Sequence, residues 1–166
     1  PTRVPRLATL NLPQAVELLA QLPRGLVLIG GPTGSGKTTT LAALVEEINR
    51  RDARHIVTIE DPIEYEHQHQ GSLIEQVEIG VDAPDFPTAL RAALRQAPDV
   101  IVVGEMRDPE TMKIALSAAE TGHLVYGTIH ASSTTQTFSR VYGLFEQEEV
   151  EQVRKINPGA QVWIGF

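Results

Sequence analysis

LVLIGGPTGSGKTT, at residues 26–39, is the stretch of sequence that decides the fold. Its first four residues form a continuous apolar run, which predicts a strand buried on both faces of a parallel sheet. Residues 31–38 then match the pattern GxxxxGK followed by Ser or Thr. Because this pattern stands between a predicted strand and a predicted helix, we interpret it as a P-loop, the glycine-rich turn that cradles phosphates.

The loop predicts a nucleotide site. Its glycines let backbone N–H groups approach phosphates, and the following helix adds the positive end of its dipole. Lys37 is expected to reach the β- and γ-phosphates as a catalytic residue, and the Thr38 hydroxyl to bind Mg²⁺. ATP with Mg²⁺ is therefore the predicted ligand pair. The predicted nucleotide-binding residues are Gly31, Pro32, Thr33, Gly34, Ser35, Gly36, Lys37, Thr38 and Thr39.

Apolar strands alternate with helical segments along the chain. Further strands are predicted at residues 56–59, 74–79, 100–103 and 124–128. Helices are predicted at residues 13–22, 37–50, 85–95, 109–120, 134–142 and 146–156. This alternation is typical of an α/β fold with a mostly parallel sheet flanked by helices.

Composition limits the function classes. The 166 residues suit one α/β domain, and 42% hydrophobic with 21% charged residues is ordinary for a globular protein. The net charge of −7 argues against a surface that coats nucleic acid. There is no cysteine, so disulfides and thiolate zinc sites are excluded. No apolar run approaches the roughly 20 residues that span a bilayer. We expect a soluble intracellular domain without an integral membrane segment.

Acidic residues follow two of the predicted strands. The run at 100–103 leads to Gly104 and Glu105, the layout of a Walker B segment, so Glu105 is expected to hold Mg²⁺ directly or through water. Gly104 stands where many P-loop proteins place aspartate. Residues 59–64 contain three acids, and a carboxylate near the γ-phosphate can orient and deprotonate water. The alternative is a turn at Asp61 surrounded by solvated acids.

Histidines and arginines near these motifs are further candidates. His123 and His130 bracket the strand at 124–128 and can bind a phosphate or a catalytic acid, although a structural role is the alternative. Arginines can neutralise transition-state charge, which makes Arg107, Arg91 and Arg95 candidates. The alternative for the last two is a solvated helix face. The remaining histidines are predicted to be surface residues without a metal: His55, His67 and His69.

Four ordered motifs carry a family resemblance. They are the P-loop, TIEDPIEY at 58–65, GEMRD at 104–108 and AAETGHL at 118–124. Together they resemble the type II/type IV secretion ATPase superfamily, and most closely its pilus-retraction (twitching motility, PilT-type) branch. The similarity extends from about residue 24 to residue 154. The resemblance implies a RecA-like P-loop NTPase core.

The resemblance also implies roles for individual residues. Glu64 corresponds to the glutamate that activates water, and Glu105 to the Walker B glutamate. His123 and His130 correspond to the two histidines of the family's His box, for which we expect phosphate sensing or subunit coupling, with Arg107 as a further candidate. The sequence departs from the family pattern at Val77, Ala131 and Ser139. These departures weaken the inferred subunit contacts or phosphate sensing near those positions.

At the level of the whole protein, the resemblance implies an ATPase motor that powers type IV pilus retraction. It implies a homo-hexameric ring, an inner-membrane platform protein and, indirectly, pilins as partners, and no nucleic acid. The expected location is the bacterial cytoplasm at the inner membrane. We expect a lead-in at 1–23 that links to a missing N-terminal domain, a RecA-like core at 24–156 with a truncated helical end, and an irregular tail at 157–166.

Three alternatives remain at this point. The first is a pilus-assembly or type II secretion ATPase of the same superfamily, against which the absence of a cysteine-based zinc element argues. The second is a RecA-like nucleic-acid translocase, which the acidic balance disfavours. The third is a nucleotide-binding module that does not hydrolyse ATP.

Overall fold

The protein is built on a parallel sheet, which a computed structural model describes together with its helices for residues 3–143 and 164–165. The strands are β1 (Gly25–Gly31), β2 (His55–Glu60), β3 (Leu73–Glu78), β4 (Val100–Val103), β5 (Leu124–His130) and β6 (Ile164–Gly165). The helices are α1 (Ala15–Leu19), α2 (Lys37–Arg51), α3 (Phe86–Leu94), α4 (Pro109–Glu120) and α5 (Thr134–Gly143). A 3₁₀ turn at Leu7–Thr9 precedes α1.

The sheet order is β3-β2-β4-β5-β1-β6, and every described pair of strands is parallel. The register places Gly31 opposite His130 and Ile59 opposite Val103. The strands that precede the P-loop, the acidic segment and the Glu105 turn therefore end at one edge of the sheet. Ligands of parallel α/β sheets bind at this carboxyl edge. The predicted α/β class with a mostly parallel sheet is confirmed.

The core consists of two apolar layers, one on each face of the sheet. Alternate residues of a strand point to opposite faces, so Leu28 packs with α3 and α4 in one layer, and Val27 packs with α2 in the other. Every residue of β1 and β4 is buried. This two-sided burial explains why these strands are continuous apolar runs in the sequence.

Helix caps fix where two helices begin. The Asp85 carboxylate accepts a hydrogen bond from Thr88 N (2.8 Å) at the start of α3, and Asp108 accepts one from Thr111 N (2.8 Å) at the start of α4. A capping carboxylate satisfies an N–H group that lacks a partner within the helix. The cap of α4 sets the end of the turn that carries Glu105.

The lead-in packs against the core. Tyr126 Oη of β5 donates a hydrogen bond to Leu19 O (2.7 Å), and Arg51 Nη2 of α2 donates one to Ala20 O (2.6 Å). Leu7 and Leu19 are buried in the layer on the α2 side. The regular helix is five residues long, shorter than the predicted 13–22. Leu19 and Ala20 therefore belong to the same folded unit as the sheet. The role of the lead-in as a linker to another domain stays a prediction.

The prediction of an irregular tail at 157–166 is wrong at Ile164–Gly165. These two residues form β6 and pair in parallel with Leu28 and Ile29 of β1. On its β6 side, β1 would otherwise present unpaired N–H and C=O groups, and such an edge is a template for another strand. The helix predicted at 146–156 lies outside the described residues.

Candidate nucleotide site

The P-loop has the backbone that its glycines make possible. Gly34 and Gly36 adopt φ angles of 78° and 90°, in the left-handed region that side chains disfavour. Gly36 is the last residue before α2, and its carbonyl accepts a hydrogen bond from Thr40 N (2.8 Å). The amino end of this 15-residue helix is thereby directed into the loop. This is the geometry of an anion-binding site.

Lys37 contributes a positive charge at the same place. Its ammonium group Nζ donates hydrogen bonds to the carbonyl oxygens of Gly31 (3.0 Å) and Pro32 (2.8 Å). These contacts hold the ammonium against the first two residues of the loop. The cation and the helix terminus both favour a negatively charged ligand.

A cleft at the amino end of α2 brings the predicted site residues together. Thr38 lies on α2, Glu64 comes from the segment after β2, and Glu105 and Arg107 come from the turn after β4. Glu60 and Asp61 line the cleft as well. The cleft therefore holds oxygen ligands that suit a hard cation. Within the described residues, no three His, Asp or Glu side chains form a group that could hold a metal ion.

Hydrogen bonds from β5 hold the turn that carries Glu105. Thr128 Oγ1 donates to Gly104 O (2.5 Å), and Met106 N donates to Thr128 O (2.9 Å). A Cβ atom at Gly104 would stand only 3.2 Å from Ile59 O and 3.3 Å from the Cα of Glu60. The close approach of β2 explains why glycine, and not the aspartate of other P-loop proteins, occupies this position.

The Glu105 carboxylate lies between two nitrogen groups. Arg107 Nη2 is 2.5 Å from Oε2, and His130 Nε2 is 3.5 Å from Oε1. The hydrogen bond to Glu105 raises the pKa of the Arg107 guanidinium. The Glu105 side chain is mostly buried, whereas Arg107 is 63% exposed. The predicted candidates Arg107 and His130 thus meet at Glu105.

Glu64 lies in a segment that several side chains hold in place. The Tyr65 hydroxyl is hydrogen-bonded to Thr39 Oγ1 of α2 (3.1 Å). Gln76 and Glu78 of β3 hydrogen-bond to the backbone on either side of Glu64. These contacts hold the backbone, whereas Asp61 and Glu64 are exposed, so a turn at Asp61 surrounded by solvated acids remains the alternative to a catalytic role.

His123 and His130 are equivalent candidates in the sequence, but the structure separates them. His130 ends β5 at the carboxyl edge, and His123 precedes the same strand at the opposite edge. A seven-residue strand is about 20 Å long. His123 Nδ1 is 3.0 Å from Ala118 O. A phosphate-sensing role for His123 in the site of its own chain is therefore wrong, and subunit coupling stays a prediction.

The prediction that His67 is a surface residue is also wrong. Its side chain is only 3% exposed, lines the cleft and lies 3.5 Å from Glu46 Oε2. Burial lowers the pKa of this imidazole, and Glu46 partly opposes the effect. The reason for the error is that a local stretch rich in Gln and His gives no sign of the helix that covers it.

Arg91 and Arg95 do not join the cleft. Arg91 Nη2 forms an ion pair with Glu110 Oε1 of α4, and Arg95 is exposed directly after the end of α3. Both positions agree with the alternative given for these arginines, which is a solvated helix face.

Sequence reasoning missed the side chains that support the site. Thr128, Gln76 and Glu78 belong to none of the motifs in the sequence. The signal that could have found two of them is the alternation of side chains between the two faces of a strand. It places Gln76 and Glu78 on the same face of β3, at the carboxyl edge where Glu60 ends β2.

An apolar pocket adjoins the loop on its other side. Leu12, Pro13 and Val16 of the lead-in form one wall, and Gly36 and Thr40 lie beside them. Such a pocket suits a flat, largely apolar group attached to the phosphates.

A strand, a glycine-rich loop, a helix and a carboxylate at the end of a neighbouring strand define the class of P-loop nucleotide-binding proteins. The sequence model described as Type II/IV secretion system protein matches residues 8–155. The chain belongs to the type II/IV secretion system protein family, and the resemblance stated above is confirmed.

Relatives with known names support this assignment. The chain is 51% identical to a twitching motility protein of Neisseria gonorrhoeae over 94% of its own length and 42% of the relative's. It is 49% identical to the type IV pilus retraction ATPase PilT of Pseudomonas aeruginosa, over 94% and 45% of the two chains. The crystal structure of the pilus retraction motor PilT with bound ADP superposes with a TM-score of 0.91 at 50% identity, over 94% and 46%.

This chain therefore spans less than half the length of those relatives. In the described part of the chain, no helix has the length and apolar character needed to cross a bilayer.

Proposed function

We propose that this chain is the ATP-hydrolysing core of a motor that powers type IV pilus retraction. The observation that carries the proposal is the cleft beside the P-loop, where Thr38, Glu64 and Glu105 converge. Binding alone needs the loop and the helix terminus, whereas hydrolysis also needs a group that activates water. Glu64 supplies such a carboxylate at the site.

Each group has a role in this proposal. The amino end of α2 and Lys37 bind the phosphates of ATP, and Gly31–Thr39 backbone groups enclose them. The pocket lined by Leu12, Pro13 and Val16 accepts the base. Glu64 orients the attacking water and accepts its proton.

The oxygen ligands of the cleft fit a magnesium ion, which Thr38 would bind directly and Glu105 directly or through water. Magnesium usually retains waters and is held by one or two carboxylates plus the phosphates of a substrate, so a cleft without a complete metal cage suits it. When bound, it neutralises phosphate charge. Arg107 and His130 contact Glu105 and can transmit the presence of phosphate to the turn after β4.

The assembly and partners are part of the same proposal. We infer a homo-hexameric ring at the cytoplasmic face of the bacterial inner membrane, acting on a platform protein and through it on pilins, without nucleic acid. The relatives named above are a twitching motility protein and a pilus retraction ATPase. Their names support retraction over the assembly and type II secretion alternatives.

Glu64→Gln in the intact protein tests the chemical step. The amide keeps the size of the side chain but cannot accept a proton, so turnover is expected to fall by about a hundredfold or more while ATP binding is retained. Glu66→Gln is the matched control, because Glu66 is an exposed acid that does not line the cleft. Near-normal turnover of Glu64→Gln would contradict the assignment.

The same variant in cells tests the direction of movement. A retraction motor without hydrolysis should leave surface pili in place and abolish twitching. Loss of the pili themselves would instead indicate an assembly motor, and normal pili with defective protein export would indicate a secretion ATPase.

A further inference from the structure

The segment that carries Glu64 has neither helix nor strand. It spans residues 61–72, between β2 and β3. Without ladder hydrogen bonds of its own, such a segment needs other partners for its backbone groups. The position of the Glu64 carboxylate in the cleft is therefore set by whatever holds the neighbouring backbone.

Two side chains of β3 provide those partners. Gln76 Oε1 accepts a hydrogen bond from His67 N (2.9 Å), and Gln76 Nε2 donates one to Tyr65 O (2.9 Å). Glu78 Oε2 accepts a hydrogen bond from Ile63 N (2.9 Å). The backbone is thus held at the residue before Glu64, at the residue after it, and again at His67.

The strand itself is a firm support. Gln76 and Glu78 are two positions apart, so both side chains leave the same face of β3. Gln76 Nε2 also donates to Glu60 Oε1 (3.1 Å), which in turn accepts a hydrogen bond from Thr58 Oγ1 (2.7 Å) in β2. Contacts from regular strands place a loop more accurately than contacts within the loop.

We propose that Gln76 and Glu78 are positioning residues that set the place of the Glu64 carboxylate for its reaction with water. The inference rests on the proposed function, in which Glu64 is the base. Both residues act through the backbone that flanks Glu64. A displacement of about 1 Å at a reacting group can cost about a hundredfold in rate.

Gln76→Glu in the intact, assembled protein is the first test. The carboxylate keeps the size and an acceptor for His67 N, but it lacks the donor for Tyr65 O and repels Glu60. The kcat for ATP hydrolysis is expected to fall about tenfold or more, with KM and ATP affinity unchanged. Glu75→Gln is the control, because Glu75 contacts His55 and lies on the other face of β3.

Glu78 provides an independent pair of variants. Glu78→Ala removes the acceptor for Ile63 N and should lower kcat in the same way. Glu78→Gln retains an acceptor oxygen and should recover most of the lost rate. If Gln76→Glu lowers the thermal midpoint of unfolding, its loss of kcat does not report on positioning alone. The comparison of Glu78→Ala with Glu78→Gln then decides whether these side chains position Glu64. Equal kcat values for Glu78→Ala and the unmodified protein would overturn the proposal.

Combination with Glu64→Gln separates this proposal from the proposed function. If Gln76 acts through Glu64, then Gln76→Glu should not reduce the residual turnover of Glu64→Gln any further. A further loss equal to that in the unmodified background would overturn the positioning role. Full activity of Glu64→Gln alone would refute Glu64 as the base, and the positioning role with it. An inactive Glu64→Gln with a fully active Gln76→Glu would refute the positioning role only.

Discussion

The P-loop and the Glu64 segment face the same cleft but are built in different ways. The loop is a continuous stretch whose shape depends on its own glycines and on the helix that follows it. The Glu64 segment depends on Thr39, Gln76 and Glu78, which lie elsewhere in the chain. The comparison teaches that the loop proposed to bind nucleotide rests on local structure, whereas the place of the proposed base rests on tertiary contacts.

Among the changes that test this comparison, the largest expected effect comes from strain in the P-loop. Gly36→Ala places a Cβ at φ 90°, which costs about 1–2 kcal/mol unless the loop leaves its phosphate-binding shape. We expect about tenfold weaker nucleotide affinity, measured by titration calorimetry.

Gly122→Ala is the matched control for this strain. Gly122 has φ 102° but precedes β5 at the opposite edge of the sheet. This variant should lose a similar free energy of unfolding and keep its nucleotide affinity. Equal affinity losses in the two variants would mean that general destabilisation, and not loop shape, is responsible.

A smaller effect concerns the hydrogen bond that joins the two regions. Thr39→Val and Tyr65→Phe each remove one hydroxyl of the 3.1 Å contact. A double-mutant cycle by urea unfolding should give a coupling energy of about 0.5–1.5 kcal/mol. A coupling energy near zero would show that α2 and the Glu64 segment are energetically independent at this point.

The smallest effect is a pH dependence confined to the Glu64 segment. Burial lowers the pKa of His67 below its ordinary value of 6.5, so the unfolded chain binds this proton more tightly. The contribution to stability is complete above pH 6.5 and is lost as the pH falls toward the lower folded pKa. The P-loop contains no histidine, so it adds no imidazole to this pH dependence.

Thermal unfolding between pH 7.5 and 5 checks this expectation. His67→Gln should flatten the loss of stability on acidification. Glu46→Gln should steepen it, because Glu46 favours the charged imidazole and offsets part of the effect of burial. An unchanged slope in His67→Gln would assign the acid sensitivity to other groups.

Much of the site could be predicted because its signals are local. The apolar run before Gly31 and the run before Glu105 each identify a buried strand, and parallel strands bring their carboxyl ends to one edge. The burial of His67 had no comparable signal. It depends on α2, which carries Glu46 and lies more than a dozen residues away in the sequence. The separation of His123 from the cleft follows from strand direction, and the treatment of the two histidines as a pair overlooked it.

The sequence by itself determined the α/β class and the P-loop, because periodicity and glycine content act over a few neighbouring residues. Only the tertiary structure decided how Glu64 is held, which histidine reaches Glu105, and that Ile164–Gly165 extends the sheet. These features depend on hydrogen bonds and burial between residues far apart in the chain. No local pattern specifies such contacts, since they form only when the sheet brings the distant segments together.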